Sequence, residues 1–145
     1  MQEHGLKISE LVTLFNLEVL NRGSDYDTAL LTITDVNRPG LQFHSFYDYF
    51  DPRRLQVLGN SEITYLKGLT TEQRRKCFDD LFLYDIPALV ISRGLDCFPE
   101  CLESARVHER TLLRTEETTV EFTSHTIEYL NRVLAPCVTR HGVLL

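Results

Sequence analysis

Apolar residues recur along the chain at two kinds of spacing, one typical of strands and one typical of amphipathic helices. Short apolar runs bounded by turn residues predict strands, and apolar positions three or four residues apart predict helices between them. The predicted strands are 17–20, 31–34, 54–58, 87–92 and 112–115. The predicted helices are 9–15, 61–69, 71–82, 99–107 and 118–134. Because the two types alternate, the pattern predicts an α/β sandwich with a sheet that is at least partly parallel.

Several helix ends have clear sequence signals. Thr70 with Gln73 fits a capping box, Ser61 is a second candidate N-cap, and Pro99 fits the first position of a helix. Pro136 ends the last helix, and Cys137–Leu145 is predicted to be extended. Its apolar end predicts a strand or linker that enters a further domain. The expected organisation is therefore one domain over residues 1–136, followed by the start of another at 137–145.

Composition narrows the class of protein. With 145 residues, 43% hydrophobic and 25% charged, the chain has the size and balance of one soluble globular domain. A formal net charge of −6 argues against a general nucleic-acid surface, which needs a basic face. Neither a membrane-length apolar run nor a signal peptide is present in the sequence. We therefore expect a cytoplasmic protein with no membrane or nucleic-acid partner.

The four cysteines do not predict a disulfide framework or a metal site. Cys77, Cys97, Cys101 and Cys137 contain no CxxC pair, so reduced thiols are expected. Cys97 and Cys101 could share a helix face with His108, but a metal site needs a third and a fourth ligand, and neither can be named convincingly. No bound metal is predicted.

Sequence motifs for catalysis are missing from these residues. No window matches GxxxxGK[ST], GxSxG or HExxH. Asp48 and Asp51 could form a carboxylate pair, but surface carboxylates of an acidic protein explain them equally well. No catalytic residue is predicted within this chain.

Three arginines are the best candidates for ligand binding, because each follows a predicted strand. Arg38, Arg93 and Arg114 could meet at one edge of a mostly parallel sheet, where helix N-termini also direct backbone N–H groups. Thr118 and Thr119 stand at the start of the last helix. Together these five residues would suit a phosphate or a carboxylate. The alternative is that the arginines pair with nearby Asp and Glu.

The stretch Asp35–Leu41 and the aromatics that follow it are the most strongly marked part of the chain. Arg38, Pro39 and Gly40 predict a turn, and five aromatic residues lie between 43 and 50. A loop after a strand commonly carries a binding site in open α/β sheets. The same features also fit an ordinary turn beside a core, or an interaction surface.

Several motifs in order resemble the amino-terminal domain of bacterial HPr kinase/phosphorylase. The resemblance covers essentially the whole chain, with departures at Asp96–Pro99 and Ser24–Thr28. The matching stretches are Ile8–Leu11, Asn16–Val19, Asp35–Leu41, Tyr47–Phe50, Arg54–Gly59, Ile91–Leu95, Leu113–Thr115, Thr118–Thr119, Tyr129–Leu130, Leu134–Pro136 and His141–Leu144.

The resemblance implies a fold and a function. The family's amino-terminal domain is similar to the small α/β domain of the Mur ligases, which implies a three-layer sandwich with helices on both faces of a mostly parallel sheet. The family enzyme is a homohexamer that uses ATP to phosphorylate HPr on serine in carbon catabolite regulation, and phosphate to remove that group. ATP and Mg belong to its carboxy-terminal P-loop domain.

The chain is thus expected to be the non-catalytic part of such an enzyme, in contact with its own kinase domain. Subunit contacts or metabolite sensing are the roles expected for it. The alternative is a stand-alone sensor of a metabolite or nucleotide that uses the arginine-lined strand ends.

Overall fold

The computed structural model describes residues 5–135, in which short strands alternate with helices. Residues 1–4 and 136–145 lie outside the described part, and so does the strand predicted at 137–145. In chain order the elements are β1 (Leu6–Lys7), α1 (Ile8–Phe15), β2 (Glu18–Asn21), β3 (Leu30–Leu31), β4 (Val36–Asn37), α2 (Gly40–Phe43), β5 (Leu55–Leu58), α3 (Asn60–Lys67), α4 (Thr71–Phe82), β6 (Leu89–Ile91), α5 (Pro99–His108), β7 (Leu112–Arg114) and α6 (Thr119–Val133).

Five strands form the main sheet in the order β2-β7-β6-β5-β4. The four strands from β7 to β4 are parallel, and β2 pairs with β7 in the antiparallel direction. A separate two-stranded sheet joins β1 to β3 through the pairs Leu6–Leu31 and Lys7–Leu30. The parallel strands bring their carboxyl ends to one edge of the main sheet, which is where ligands bind in many open α/β folds.

Helices cover both faces of the main sheet, because the central strands are apolar on both sides. All four residues of β5 and all three of β6 are buried. On one face α2 to α5 pack around Phe78 and Phe82. On the other, α1 and α6 pack around Phe122 together with the small sheet. This confirms the α/β sandwich with a mostly parallel sheet, whereas a specific likeness to the Mur ligases stays a prediction.

Most elements with strong local signals were predicted correctly. The structure contains strands within 54–58, 87–92 and 112–115, and helices at 71–82, 99–108 and 119–133. Thr70 caps α4 in a capping box with Gln73, as predicted. Thr118 caps α6 in the same way with Glu121.

Three predictions between residues 31 and 61 were wrong. The run Leu31–Thr34 is not a strand of the main sheet: only Leu31 lies in a strand, and that strand pairs with β1. The main-sheet strand is instead β4, which lies inside the segment predicted to be a loop, and α2 follows it at Gly40. Ser61 does not cap α3 either, since this helix starts directly after Gly59.

Candidate functional site

The carboxyl ends of the parallel strands meet the N-termini of α3 and α6 at one edge of the sheet. Arg38 follows β4, Gly59 follows β5, Ser92 and Arg93 follow β6, and Thr119 starts α6. We call this region the strand-end site. Three of the five residues predicted to bind an anion belong to it, namely Arg38, Arg93 and Thr119.

Arg38 is held in place by a buried carboxylate. Its Nε and Nη2 atoms donate to Oε1 of Glu62 at 3.1 and 2.9 Å. The same oxygen accepts from the backbone N–H of Gly59 at 2.7 Å, so Glu62 also caps α3. The Glu62 side chain is only 7% exposed, and that of Arg38 is 41% exposed. A buried charge is stable only when it is paired, so the pair fixes the guanidinium beside Gly59.

The Thr119 hydroxyl also lies close to Gly59. Ser92 donates its hydroxyl to the Leu58 carbonyl at 2.8 Å, and its oxygen lies 2.6 Å from Oγ1 of Thr119. Because the Ser92 proton is already used, the Thr119 hydroxyl is the donor of the second bond. A Cβ atom at Gly59 would lie 2.5 Å from Thr119 Oγ1 and 2.8 Å from Arg38 Nη2. Arg38 and Thr119 therefore converge over a residue that has no side chain.

Arg93 extends from the same edge in an uncommon backbone conformation. Its φ is 62°, in the left-handed region, and the next residue, Gly94, has a φ of 61°. The neighbouring β7–α6 loop holds both residues, because their N–H groups donate to the carbonyls of Glu117 and Thr115 at 2.8 Å. The Arg93 side chain is exposed. The local fold thus fixes the backbone of Arg93 and leaves its charge in solvent.

Arg114 and Thr118 have other roles in the structure. Arg114 forms two hydrogen bonds to the Glu18 carboxylate, at 2.9 and 3.1 Å, across the β2–β7 pair, and a third to the Leu95 carbonyl. The bond to Glu18 raises the pKa of Arg114 above its usual value. Thr118 accepts from the Glu121 N–H at 3.1 Å as the cap of α6. These contacts engage both side chains within the domain.

Residues that sequence reasoning missed complete the strand-end site. Gly59, Glu62 and Ser92 make its central contacts. The signal for Glu62 was present, because a glutamate three residues after Gly59, at the start of a helix, fits the acidic half of a capping box. Beside them Asn37 donates to both Gln42 and Gln56, at 3.0 and 2.7 Å, and Gln56 is fully buried.

The aromatic stretch after Gly40 divides between core and surface. Phe43 is buried against Phe78, and Tyr47 stacks on Tyr84 with a centroid distance of 4.9 Å. Burial of Tyr47 raises its pKa above the usual value. Tyr49 is fully exposed. Phe43 therefore packs α2 against α4, and Tyr47 packs against the segment that follows α4.

The described residues contain neither a candidate metal-binding cluster nor a candidate membrane-spanning helix. Within residues 5–135, no three His, Cys, Asp or Glu side chains gather in a way that could hold a metal ion. In the same range, no helix has both the length and the apolar content needed to cross a membrane.

Comparison with solved structures finds a protein of similar fold. A crystal structure of the CBS and DRTGG domains from the regulatory region of Clostridium perfringens pyrophosphatase, in complex with the activator diadenosine tetraphosphate, is similar with a TM-score of 0.57. The match covers 88% of this chain and 50% of that one, at 13% sequence identity. At this identity the likeness shows a shared fold alone.

Sequence comparison finds much closer relatives. The HPr kinase/phosphorylase of Alkaliphilus metalliredigens is 40% identical over 140 residues, and that of Clostridium tetani is 40% identical over 141. Each match covers 97% of this chain but only 45% and 46% of the relative, so the chain spans about half the length of these enzymes.

The profile of one protein family matches most of the described residues. The family is described as HPr Serine kinase N terminus, and the match runs from residue 6 to residue 130. It includes every strand of both sheets and most of α6. The chain belongs to this family, the amino-terminal domain of the HPr serine kinases.

Proposed function

We propose that the chain is the non-catalytic domain of an HPr kinase/phosphorylase and that phosphoryl transfer to HPr takes place in the remainder of the longer protein. The observation that carries this proposal is the coverage: relatives with that name match 97% of this chain with less than half of their own length.

The chemistry of the strand-end site supports the proposal that phosphoryl transfer takes place outside these residues. Phosphoryl transfer from ATP needs a phosphate-binding loop and carboxylates for Mg. The sequence contains no GxxxxGK[ST], and the buried carboxylate of the site, Glu62, is already paired with Arg38. ATP and Mg would therefore bind to the rest of the enzyme, as would HPr.

A direct assay tests this proposal. Residues 1–145 and the longer protein are incubated separately with HPr and radiolabelled ATP, and transfer to HPr is measured. We expect transfer with the longer protein and none above background with residues 1–145. Transfer by residues 1–145 alone would contradict the proposal.

The strand-end site supports a second, regulatory function: binding of a small anionic metabolite. The observation that favours it is the convergence of Arg38 and Thr119 over Gly59, with the exposed charge of Arg93 next to Ser92. Arg38 keeps N–H groups beyond the two that bind Glu62, and guanidinium groups bind phosphate and carboxylate well. Arg114 and Thr118 would contribute less, because both are engaged within the domain.

Calorimetry with inorganic phosphate and with a nucleotide tests this second function. We expect Arg38→Gln and Arg93→Ala to weaken binding at least about tenfold, the effect of losing one charge-assisted contact of about 1.4 kcal/mol. Arg106→Ala is the matched control, since Arg106 is an exposed arginine paired with Glu103 on α5. Equal binding by all three variants would rule out an anion site at the strand ends.

A further inference from the structure

A recess next to the strand-end site has no part in the proposed function. It has a volume of about 330 Å³ and lies between α3 and the segment that joins β6 to α5. Ile63 and Lys67 line it from α3, and the run from Leu95 to Pro99 lines it from the other side. Ligand pockets in proteins commonly have volumes of about 300–1,000 Å³, so the recess is large enough to hold a small organic molecule.

The recess and the strand-end site share both of these walls. Ile63 follows Gly59 by four residues, and its N–H donates to the Gly59 carbonyl at 3.0 Å. Residues four apart in a helix lie on one face and about 6 Å apart, so the recess begins about one helical turn from Gly59. On the other wall, the Leu95 N–H donates to the Ser92 carbonyl at 3.2 Å, in the turn that contains Arg93. One small molecule can therefore reach both places at once.

The walls of the recess are apolar and are held in place by the core. Ile63 belongs to the buried core on this face of the sheet, and Leu95 and Phe98 pack against that core. The Arg74 guanidinium lies 4.6 Å from the centre of the Phe98 ring, and Glu100 holds Arg74 with a hydrogen bond of 3.0 Å. The apolar surface is thus formed before a ligand arrives, which reduces the entropy that is lost on binding.

The volume and the charges of the recess indicate which kind of molecule fits it. A cavity of about 150 Å³ binds benzene, so a recess of about 330 Å³ suits two fused rings. Among the described residues that line it, Lys67 and Asp96 are charged and exposed, and their opposite charges cancel. An anionic group therefore finds its hydrogen-bond donors at Arg38 and Arg93 on the strand ends, and not within the recess.

We propose that the strand-end site and the recess together bind an organic phosphate that carries a planar ring of about bicyclic size. The phosphate binds to Arg38 and Arg93, and the ring packs against Leu95 and Phe98 in the recess. The inference rests on the anion binding proposed above and names the class of anion. Burial of the ring supplies affinity that a phosphate without a ring lacks, because apolar surface is removed from water.

Two phosphate monoesters with the same charged group test the inference on the full 145-residue chain. Methyl phosphate has no ring, whereas 1-naphthyl phosphate has two fused rings. We expect calorimetry to show that 1-naphthyl phosphate binds at least about tenfold more tightly than methyl phosphate, because only its ring enters the recess. Arg93→Ala should weaken the binding of both esters by the same factor, since it removes a contact to the phosphate group alone.

Cys97 reports where the ring binds. It lines the recess and is partly exposed, whereas Cys77 and Cys101 are buried. Cys137, which lies outside the described residues, is replaced by Ser in every sample. At about ten times its Kd, 1-naphthyl phosphate leaves about a tenth of the protein free, so alkylation of Cys97 by N-ethylmaleimide should slow about tenfold. Methyl phosphate at about ten times its own Kd should leave the alkylation rate unchanged.

A larger side chain in the recess tests the same point from the side of the protein. Cys97→Phe places a ring in the recess, so the preference for 1-naphthyl over methyl phosphate should fall below about twofold. Thr64→Ala is the matched control, since Thr64 is an exposed residue of α3, and it should keep the full preference. Circular dichroism confirms that each variant is folded, and the two measurements on the parent chain decide the question if Cys97→Phe is not.

The outcomes separate this inference from the anion site on which it rests. Equal binding of the two esters, with both weakened by Arg93→Ala, would support the anion site and overturn the binding of a ring in the recess. Tight binding of 1-naphthyl phosphate without protection of Cys97 would also overturn it, because the ring would then lie elsewhere. Binding of neither ester would contradict the anion site itself, and this inference with it.

Discussion

At the scale of single residues, Gly59 is the position where the strand-end site tolerates least change. Its φ of −125° is open to any residue, so the requirement for glycine is steric. Arg38 and Thr119 occupy the space of a side chain, and Glu62 fixes Arg38 there. The packing of the site therefore depends on the absence of a methyl group.

Substitution of Gly59 by Ala should destabilise the protein. The new methyl group would lie 2.5 Å from Thr119 Oγ1, a distance that forces the two helices or the Arg38–Glu62 pair to move. We expect the free energy of unfolding, measured with urea, to fall by about 1–3 kcal/mol.

Gly68→Ala is the control for that experiment. Gly68 has a φ of −79°, and the nearest atom to an added Cβ is the Tyr65 carbonyl oxygen at 3.5 Å. The change should leave stability unaltered or raise it by up to about 1 kcal/mol. Equal effects of the two substitutions would show that the contacts over Gly59 are loose.

Asp51 provides a test of the electrostatics. Two hydrogen bonds from the Arg53 side chain, and one from its backbone N–H, lower the pKa of Asp51 to about 2. Because the folded-state value is below the ordinary 3.8, this contribution to stability is fully present above about pH 3.8 and is lost as the pH falls through 2.

An NMR titration of the Asp51 carboxyl group measures this effect. We expect a midpoint near pH 2 in the parent chain, and Arg53→Ala should move it most of the way towards 3.8, because the guanidinium bond is the largest cause. Arg106→Ala, on a different surface, should leave the midpoint unchanged. A parent midpoint near 3.8 would show that Arg53 does not hold the carboxylate in solution.

At the scale of elements, two helices begin with the same kind of capping box. Thr70 caps α4 and Thr118 caps α6, each by accepting from the N–H three residues later at 3.1 Å. Gln73 and Glu121 complete the reciprocal bonds. The hydrogen bonds that cap each helix are thus made between residues only three positions apart in the sequence. This explains why both helix starts were predicted correctly.

Removal of either cap should weaken the fold by a similar amount. We expect Thr70→Ala and Thr118→Ala each to lower the free energy of unfolding by about 1 kcal/mol. Thr118→Ser should retain most of the stability that the cap supplies. Thr64→Ala, at an exposed position within α3, is the control and should be neutral or slightly stabilising. A Thr118→Ala protein as stable as the parent would show that the cap is unimportant in solution.

Local signals predicted the elements well, and non-local pairing explains the errors. The β-branched run at 31–34 has the composition of a strand, yet Leu31 pairs with Leu6 while Val36 takes the place beside Leu55. In the site, Arg38 was a candidate because it follows the predicted strand 31–34, and Thr119 because it stands at the start of a predicted helix; the structure places β4, not that strand, directly before Arg38. The engagement of Arg114 was not predictable, since its partner Glu18 is 96 residues away along the chain.

At the scale of the whole molecule, one sheet separates two apolar cores. Phe78 is fully buried on the face covered by α4, and Phe122 is fully buried on the face covered by α6. Because β5 and β6 contribute side chains to both cores, neither core is complete without the sheet they share. The two faces should therefore unfold together.

Core truncations on either side test this coupling. Phe78→Ala and Phe122→Ala should each lower the free energy of unfolding by about 3–5 kcal/mol, with circular dichroism and tyrosine fluorescence giving one coincident transition. The control Val120→Ala, at an exposed site of α6, should stay within about 0.5 kcal/mol of the parent. Two separate transitions would show that the cores are independent.

The strand order also determines when the sheet can be completed during synthesis. The register places Val19 of β2 opposite Leu113 of β7. A ribosome that adds roughly 5–20 residues per second needs about 5–20 s to make the intervening chain. The parallel strands β4, β5 and β6 are finished earlier and can assemble first. During this interval β2 has no partner strand, so the nascent protein is most open to aggregation and chaperone capture at β2.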